Sequence, residues 1–325
     1  MKKNNKLFLT LIFAGFYLLL ALFVPTTFSV TMPGDIDQVK DNIVIEGVEN
    51  STNFYTTSVY YMTRVTPITR MLLELSNKNK VEMMGERAKT ISNRDDYEMG
   101  QVSKKHSYRA SLINAYREAS KIDNTISINY EVVGLVLYYR PSKIKEIKIG
   151  DVITKVNDEV VDETNYQKLI LETKHPTFTL TIKRENHEFD FNYEYQNDKF
   201  YFEFYPNIII TQSHPTFELP GEESITGGPS GGLMQTLNIY VSLLNLNFGN
   251  LKIAGTGTIN LDGSVGKIGG EVQKIHTANK AKVDVFFMAL LNHNRKVIDI
   301  EKSFEYYPVS TFAEAVEILQ NHLEK

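Results

Sequence analysis

The spacing of apolar residues changes three times along the chain, and the changes predict four parts. A continuous apolar run comes first, followed by two strand-like runs and a stretch with helical spacing. Short strands with intervening turns come next, and strands alternate with helices in the last third. This order predicts an α+β chain of several domains. They are residues 1–30, residues 126–192 with an associated strand pair and helical hairpin at residues 31–125, and residues 200–325.

The apolar run covers residues 7–24 and follows three lysines among the first six residues. A helix needs about 20 residues to cross a bilayer, with a lower limit near 17. Lysines on the N-terminal side favour a cytoplasmic N-terminus, so we expect a single-pass cell-membrane protein whose remaining chain, including its last domain, is extracellular. A cleaved signal peptide is the alternative, with Thr27-Phe28-Ser29 as its small-residue site. The length of the run favours a retained anchor.

Strands and then helices are predicted between residues 31 and 125. Pro33-Gly34 indicates a turn, and residues 43–48 and 54–62 read as two strands. Thr66 before Pro67 is typical of a helix start. We expect residues 66–121 to form a helical hairpin packed on the following domain. The longer helix has an apolar face made of Tyr108, Leu112, Ala115, Tyr116 and Ala119.

Residues 126–192 contain a glycine-bearing strand, then Gly150-Asp151-Val152-Ile153 and Val156-Asn157-Asp158, then a helix and another strand. This order is similar to a PDZ domain of the bacterial protease type, with Asp158 where glycine is usual. The resemblance implies a groove in which an extended peptide adds as an extra strand. The strand would be the one at Gly134, Leu135 and Val136. A spacer without a ligand is the alternative.

A glycine-rich loop with one hydroxyl, Gly228-Pro229-Ser230-Gly231-Gly232, opens into an apolar helix. Flanking glycines allow the strained dihedrals and close approach that a nucleophile needs. The helix start points free N–H groups at the same place, where they could hold a developing oxyanion. Candidate backbone positions for that role are Gly228, Pro229 and Gly231.

A serine needs a base, and Lys274 lies on the next helix, after Gly269-Gly270. A lysine acts as a base only when neutral, so its pKa must fall well below 10.4. Burial and a nearby helix N-terminus both lower the pKa of a lysine. Thr256, on the preceding strand, could orient the amine.

These motifs resemble the proteolytic domain of Lon-type peptidases over about the last 125 residues. The resemblance implies a Ser–Lys dyad without histidine or acid, with the serine at Ser230, the lysine at Lys274 and a supporting threonine at Thr256. Gly231 stands where alanine is usual, and Gly227 stands where many members have aspartate. Together with the apolar run and the PDZ-like segment, the pattern is similar to membrane-anchored PDZ–Lon serine proteases.

The serine loop has two other interpretations. Gly228-x-Ser230-x-Gly232 also fits the elbow of α/β-hydrolases, but only 95 residues follow Ser230 and no long alternation of strands and helices precedes the motif. Ser230 could merely cap a helix, a role common for serine. The lysine motif at matching separation favours the dyad over both.

Composition narrows the classes of function. The formal net charge is −4, and no basic stripe with interleaved aromatics indicates nucleic acid. Cysteine is absent, so disulfides and thiolate chemistry are excluded. No nucleotide-binding GxxxxGK[ST] loop occurs, and the histidines lack metal-site spacing, so we expect neither nucleotide, metal nor other cofactor. We therefore expect an ATP-independent serine endopeptidase acting on exported peptides or flexible protein segments. The alternative is a non-catalytic, membrane-anchored scaffold that binds peptide through its PDZ-like domain.

Overall fold

The computed structural model describes residues 2–40, 43–195, 202–220 and 229–323, with only the backbone described at residues 2–5 and 7. The helices are α1 (Lys2–Phe23), α2 (Pro67–Glu74), α3 (Glu86–Thr90), α4 (Asn93–Ala119), α5 (Tyr166–Glu172), α6 (Gly232–Leu243), α7 (Glu271–Ala281), α8 (Arg295–Ile298) and α9 (Phe312–Leu323). The strands are β1 (Phe28–Gln38), β2 (Val44–Ile45), β3 (Phe54–Met62), β4 (Lys80–Met83), β5 (Ser127–Tyr139), β6 (Val152–Val156), β7 (Glu159–Val160), β8 (Thr177–Arg184), β9 (His187–Glu194), β10 (Glu203–His214), β11 (Phe217–Glu218), β12 (Ile253–Thr256), β13 (Thr258–Ile259), β14 (Val265–Gly266), β15 (Val285–Ala289) and β16 (Glu305–Val309).

The first sheet has the strand order β16-β15-β12-β3-β1-β4. Its four strands from β16 to β3 are parallel, and β1 and β4 are antiparallel to their neighbours. Side chains of α4, α6 and α9 pack on one face, and side chains of α7 pack on the other. Because both faces are covered, β15 is buried at all its positions, as its nearly continuous apolar run predicts.

The second sheet has the order β10-β5-β6-β8-β9, with β7 paired to β6. Its core includes Leu135, Ile153, Leu180 and Leu169, the last from α5. In sequence this sheet lies between two groups of first-sheet strands, so it is an insertion that the chain enters through β5 and leaves through β10. The two strands pair antiparallel from Ser127–His214 to Tyr139–Glu203.

The predicted domain division is wrong at two places. Residues 31–125 were assigned to the PDZ-like part, yet β3 pairs in parallel with β12, about 200 residues away. Residues from 200 onwards were assigned to the last domain, yet β10 belongs to the second sheet. Local periodicity indicates a strand but not its partner, and the partner here is set by burial of Phe54 against the distant Ile253 and Phe248.

The predicted helical hairpin of residues 66–121 is also wrong. A strand, β4, separates the short α2 from α3 and α4, because Lys80–Met83 pair with the open edge of β1. The start of α2 is as predicted, with the Thr66 hydroxyl accepting from the Thr69 N–H at 3.3 Å. The predicted apolar face of α4 is confirmed, since all five of its residues are buried. That face packs on α6 rather than on another helix of a hairpin.

The predicted turn at Pro33-Gly34 is instead a bulge inside a continuous strand. The β1–β3 register shifts between Pro33 and Ile36, and β1 runs on to Gln38. A Cβ on Gly34 would lie 2.7 Å from the Ser58 carbonyl oxygen, so only glycine fits at this close approach.

The apolar run forms α1, and its described side chains are mostly exposed. Within the part of the chain that the structure describes, no helix has both the length and the apolar character needed to span a membrane.

Candidate active site

Ser230 lies in a single 3₁₀ turn, Pro229–Gly231, that leads directly into α6. The glycines keep this turn free of side chains, and α6 is held firmly because eleven of its residues, from Gly232 to Ser242, are buried. Ser230 itself is half-buried at the surface of the molecule. The sequence prediction that the serine stands immediately before an apolar helix is therefore confirmed.

The serine turn and the first turn of α6 are joined by two backbone hydrogen bonds to Gly257, the residue directly after β12. The N–H of Gly257 donates to the carbonyl of Ser230 at 2.8 Å, and the N–H of Leu233 donates to the carbonyl of Gly257 at 3.0 Å. Because β12 is a central strand of the first sheet, these bonds hold Ser230 at a fixed position relative to the sheet.

Lys274 lies one turn into α7, which begins after Gly270. Gly270 has φ +69°, a left-handed conformation, and a Cβ there would lie 2.9 Å from Cγ1 of Val59. Glycine at this position therefore lets the helix start against the β1–β3 pair. The N–H of Lys274 donates to the carbonyl of Gly270 at 2.9 Å, so the lysine belongs to the first regular turn.

The structure brings the three predicted side chains together. Nζ of Lys274 lies 3.0 Å from Oγ of Ser230 and 2.7 Å from Oγ1 of Thr256. The Thr256 hydroxyl donates to the carbonyl of Ser230 at 3.1 Å. Since the proton of Thr256 is used in that bond, the threonine oxygen accepts from the lysine.

Burial lowers the pKa of Lys274 from 10.5 to about 8. Only 3% of its surface is exposed, and Thr256 beside it is fully buried. Desolvation penalises the charged ammonium, and none of the residues hydrogen-bonded to Nζ is a carboxylate that would restore the charge. At pH 7 about a tenth of such amines are neutral, and at pH 9 most are.

Two side-chain hydrogen bonds hold α7 against β1 and the turn before β4. The N–H of Gly34 donates to the Thr277 hydroxyl at 3.0 Å, and Nε2 of Gln273 donates to the Lys78 carbonyl at 3.0 Å. Thr277 and Gln273 flank Lys274 on the helix and are almost completely buried. The sequence offered no signal for these bonds, because each joins residues about 200 positions or more apart.

A cleft of about 490 Å³ opens at the serine and lysine. Its lining includes Ser230, Gly231, Gly270 and Lys274. Its opposite wall comes from the N-terminal strands and includes Thr31, Asp37, Thr56, Ser58, Tyr61, Lys80 and Glu82. Sequence reasoning missed this wall, since alternating polar residues in a strand resemble any solvent-facing strand surface. An extended peptide could lie in this cleft beside the serine.

The loop positions proposed for an oxyanion hole are only partly described. Gly228 lies outside the described residues, as does Gly227. Pro229 has no N–H and can only shape the turn. Gly231 offers an N–H directly after the serine, and a Cβ at this glycine would lie 2.8 Å from Cγ2 of Thr56.

The predicted peptide groove at Gly134, Leu135 and Val136 is not available for strand addition. Leu135 pairs with Pro206 of β10 on one side and with Ile153 of β6 on the other. A strand with two neighbours has no free backbone groups for a peptide, so the prediction is wrong at this strand. Gly134 allows close contact with β6, since a Cβ on it would lie 2.5 Å from the Ile153 carbonyl oxygen.

Comparison with known proteins identifies the last third of the chain. Residues 214–324 match the family model of the Lon protease (S16) C-terminal proteolytic domain. A search among curated proteins gave no match to the chain. The matched segment carries the serine turn, Thr256 and Lys274, and it supports a serine protease function. The strands β1, β3 and β4, which complete the first sheet and the cleft, lie before it in sequence.

Proposed function

We propose, from the Lon-type proteolytic domain at residues 214–324, that the protein is an ATP-independent serine endopeptidase with a Ser230–Lys274 dyad. The observation that carries the proposal is the 3.0 Å distance between Oγ of Ser230 and Nζ of a buried lysine. A longer distance between Oγ and Nζ, an exposed lysine or a carboxylate next to Nζ would each have left Ser230 without a neutral base.

The hydrogen-bond geometry supports a defined direction of proton transfer. A neutral amine has two N–H donors and one lone pair. Thr256 accepts one N–H because its own proton is given to the Ser230 carbonyl. The lone pair is then available for the proton of Ser230, at 3.0 Å.

In the first half of the reaction Oγ of Ser230 attacks the peptide carbonyl carbon while Lys274 takes the hydroxyl proton. The N–H groups at the start of α6 face the developing oxyanion. The C–N bond then breaks, Lys274 returns the proton to the leaving amine, and an ester to Ser230 remains. In the second half Lys274 takes a proton from water, the hydroxide attacks the ester, and Ser230 is released with its proton restored.

The substrates proposed are short peptides or flexible protein segments. The cleft is lined by the edges and faces of strands and is open to solvent, so an extended chain could enter it. A folded domain is too large to enter a cleft of about 490 Å³, whereas a single extended segment is not. Since the sequence has no nucleotide-binding loop, unfolding of substrates by ATP hydrolysis is not part of the proposal.

The direct test compares the purified full-length protein in detergent with three variants, using a mixture of unstructured peptides and mass spectrometry. Ser230→Ala and Lys274→Ala should abolish cleavage. Lys280→Ala is the matched control, since Lys280 lies on the same helix with an exposed side chain. Equal cleavage by all four proteins would exclude the dyad. Cleavage by none, with binding of peptide retained, would favour the scaffold function.

The location outside the cell, with the chain held to the membrane by its first helix, is proposed from the sequence pattern of residues 7–24 alone. The absence of cysteine allows a clean test, because a single introduced cysteine is the only thiol. In intact cells, Tyr97→Cys should react with a membrane-impermeant maleimide and Asn4→Cys should react only after lysis. The reverse pattern, or labelling of neither before lysis, would overturn the proposed orientation.

A further inference from the structure

The short helix α2 has an apolar stripe that the protein leaves uncovered. Met71, Leu72 and Leu75 follow Ile68 at the i, i+3, i+4 and i+7 spacing of an amphipathic helix. These three side chains are exposed by 59%, 56% and 81%, and none of the α2 residues is buried. A surface helix normally turns such a stripe toward its own core.

Two exposed methionines of the first sheet lie on the sheet face that α2 covers. Arg70 lies over the ring of Phe28 at 3.7 Å, which shows that α2 covers the face of β1 to which Phe28 points. Met83 pairs in register with Phe28, and Met62 pairs with Val30, which lies two residues farther along β1. Both methionines therefore share this face, and both are exposed. We call Met62, Met71, Leu72, Leu75 and Met83 the methionine–leucine patch.

The net charge of the segment around the patch is positive, whereas the net charge of the whole chain is negative. Residues 60–84 contain four basic and two acidic side chains, in a protein with a net charge of −4. Glu74 pairs with Arg70, and Glu82 pairs with Lys80. Among the described residues Arg64 and Lys78 have no ion-pair partner, and they lie just before and just after α2.

The patch continues a second apolar surface. Helix α1 contacts α2, and most of its side chains from Phe8 to Phe23 are apolar and exposed. An apolar stripe opposite a polar face that carries a basic residue, here Arg70, is typical of a helix that lies in the interfacial layer of a bilayer. Basic residues near the surface are attracted to anionic lipids by about 1 kcal/mol each.

We infer that the methionine–leucine patch docks on an anionic lipid surface, with α2 lying parallel to the bilayer plane. Tyr61, beside Met62 on β3, lines the cleft, and Lys80 lies on the short strand that ends at Met83. Neighbouring residues of a strand point to opposite faces, so docking holds this edge of the first sheet near the headgroups, with the cleft on the other face of the same strands. It follows that the favoured substrates are polypeptide segments close to the membrane. This consequence alone rests on the proposed proteolysis.

The absence of tryptophan makes the docking measurable. Leu75→Trp places one fluorophore on the patch, and Tyr97→Trp places one on α4, where Tyr97 is 63% exposed. Each full-length protein is reconstituted into vesicles of phosphatidylcholine with or without phosphatidylglycerol and with brominated lipid as quencher. Leu75→Trp should show a blue-shifted emission and strong quenching in anionic vesicles, and Tyr97→Trp should show neither.

Charge and self-association are tested with the same probe. In the Leu75→Trp protein, Arg64→Gln and Lys78→Gln should each lower the ratio of docked to undocked α2 about fivefold. Equal access of iodide to both tryptophans in anionic vesicles would overturn the inference. So would protection of Leu75→Trp that depends on protein concentration and not on lipid, since it would identify a second copy as the occupant. Cleavage of a soluble peptide, measured in the same samples, is unaffected by these outcomes and reports separately on the proposed protease function.

Discussion

Thr256 and Lys274 are joined by a buried hydrogen bond of 2.7 Å in which the lysine is the donor. The direction of this bond follows from the threonine, whose proton is directed to the Ser230 carbonyl. The threonine oxygen thus accepts one N–H of the amine. The lone pair of the neutral amine is left to accept the proton of Ser230. The contribution of Thr256 is to position the base rather than to touch substrate.

Replacing Thr256 by valine keeps the shape of the side chain and removes the acceptor. A buried N–H left without a partner costs about 1–3 kcal/mol, so kcat/KM for a peptide should fall about tenfold to a hundredfold. Thr256→Ser keeps the oxygen and should recover most of the activity. Equal activity of the valine and serine variants would show that the hydroxyl has no role in positioning.

The pH dependence of peptide cleavage should follow the neutral form of Lys274. Burial lowers the pKa of this lysine to about 8, so the neutral amine increases as the pH rises toward that value. We expect kcat/KM to rise nearly tenfold per pH unit between pH 6 and 7.5 and to level off above about pH 8.5. Stopped assays with one peptide at ten pH values measure this, with Lys280→Ala as the control that should keep the profile. A flat profile from pH 6 to 9 would contradict the role of the lysine as base.

Substitutions at Gly231 and Thr56 should have non-additive effects on kcat/KM. A Cβ at position 231 would lie 2.8 Å from Cγ2 of Thr56, so Gly231→Ala should displace the serine turn and lower kcat/KM at least tenfold. Thr56→Ser removes that methyl and leaves Thr56 Cβ at 3.6 Å, an ordinary contact. The double variant should therefore regain most of the activity, while Thr56→Ser alone stays near wild type. A double variant no better than Gly231→Ala would show that the clash is not the cause.

Lys274 should lower the stability of the folded protein at neutral pH. A pKa lowered from 10.5 to about 8 corresponds to about 3 kcal/mol, because the folded state penalises the ammonium that the unfolded state keeps. The penalty is complete below pH 8. Between about pH 8 and 10.5 the folded protein releases the proton before the unfolded chain does, so wild-type stability rises with pH in that window.

Lys274→Met should accordingly raise the free energy of unfolding at pH 7 by up to about 3 kcal/mol, and the gain should shrink toward pH 10.5. Urea denaturation followed by circular dichroism at the two pH values measures it. Lys280→Met is the control, since that side chain is exposed and its replacement should change stability by less than about 0.5 kcal/mol. A methionine variant less stable than wild type at pH 7 would show that the lysine is held by favourable contacts that outweigh its desolvation.

Much of the site could be predicted from the sequence because its chemistry depends on short motifs. The glycine-flanked Ser230 before an apolar helix, and Lys274 one turn after Gly270, are local arrangements of turn and helix start. Strands and helices with strong periodicity, such as β3 at Phe54–Met62 and the buried face of α4, were predicted for the same local reason.

The tertiary structure alone decided which strands share a sheet. Nothing in the spacing of residues 54–62 distinguishes a partner in the PDZ-like segment from one 200 residues later, because the side-chain period is the same for both. The pairing of Phe54 with Ile253 follows from burial of both in one core, and it brings the wall of Thr31, Thr56 and Tyr61 to face Ser230. The sequence by itself determined which residues could form a nucleophile and a base. Only the folded packing of distant strands determined the cleft in which a peptide would meet them.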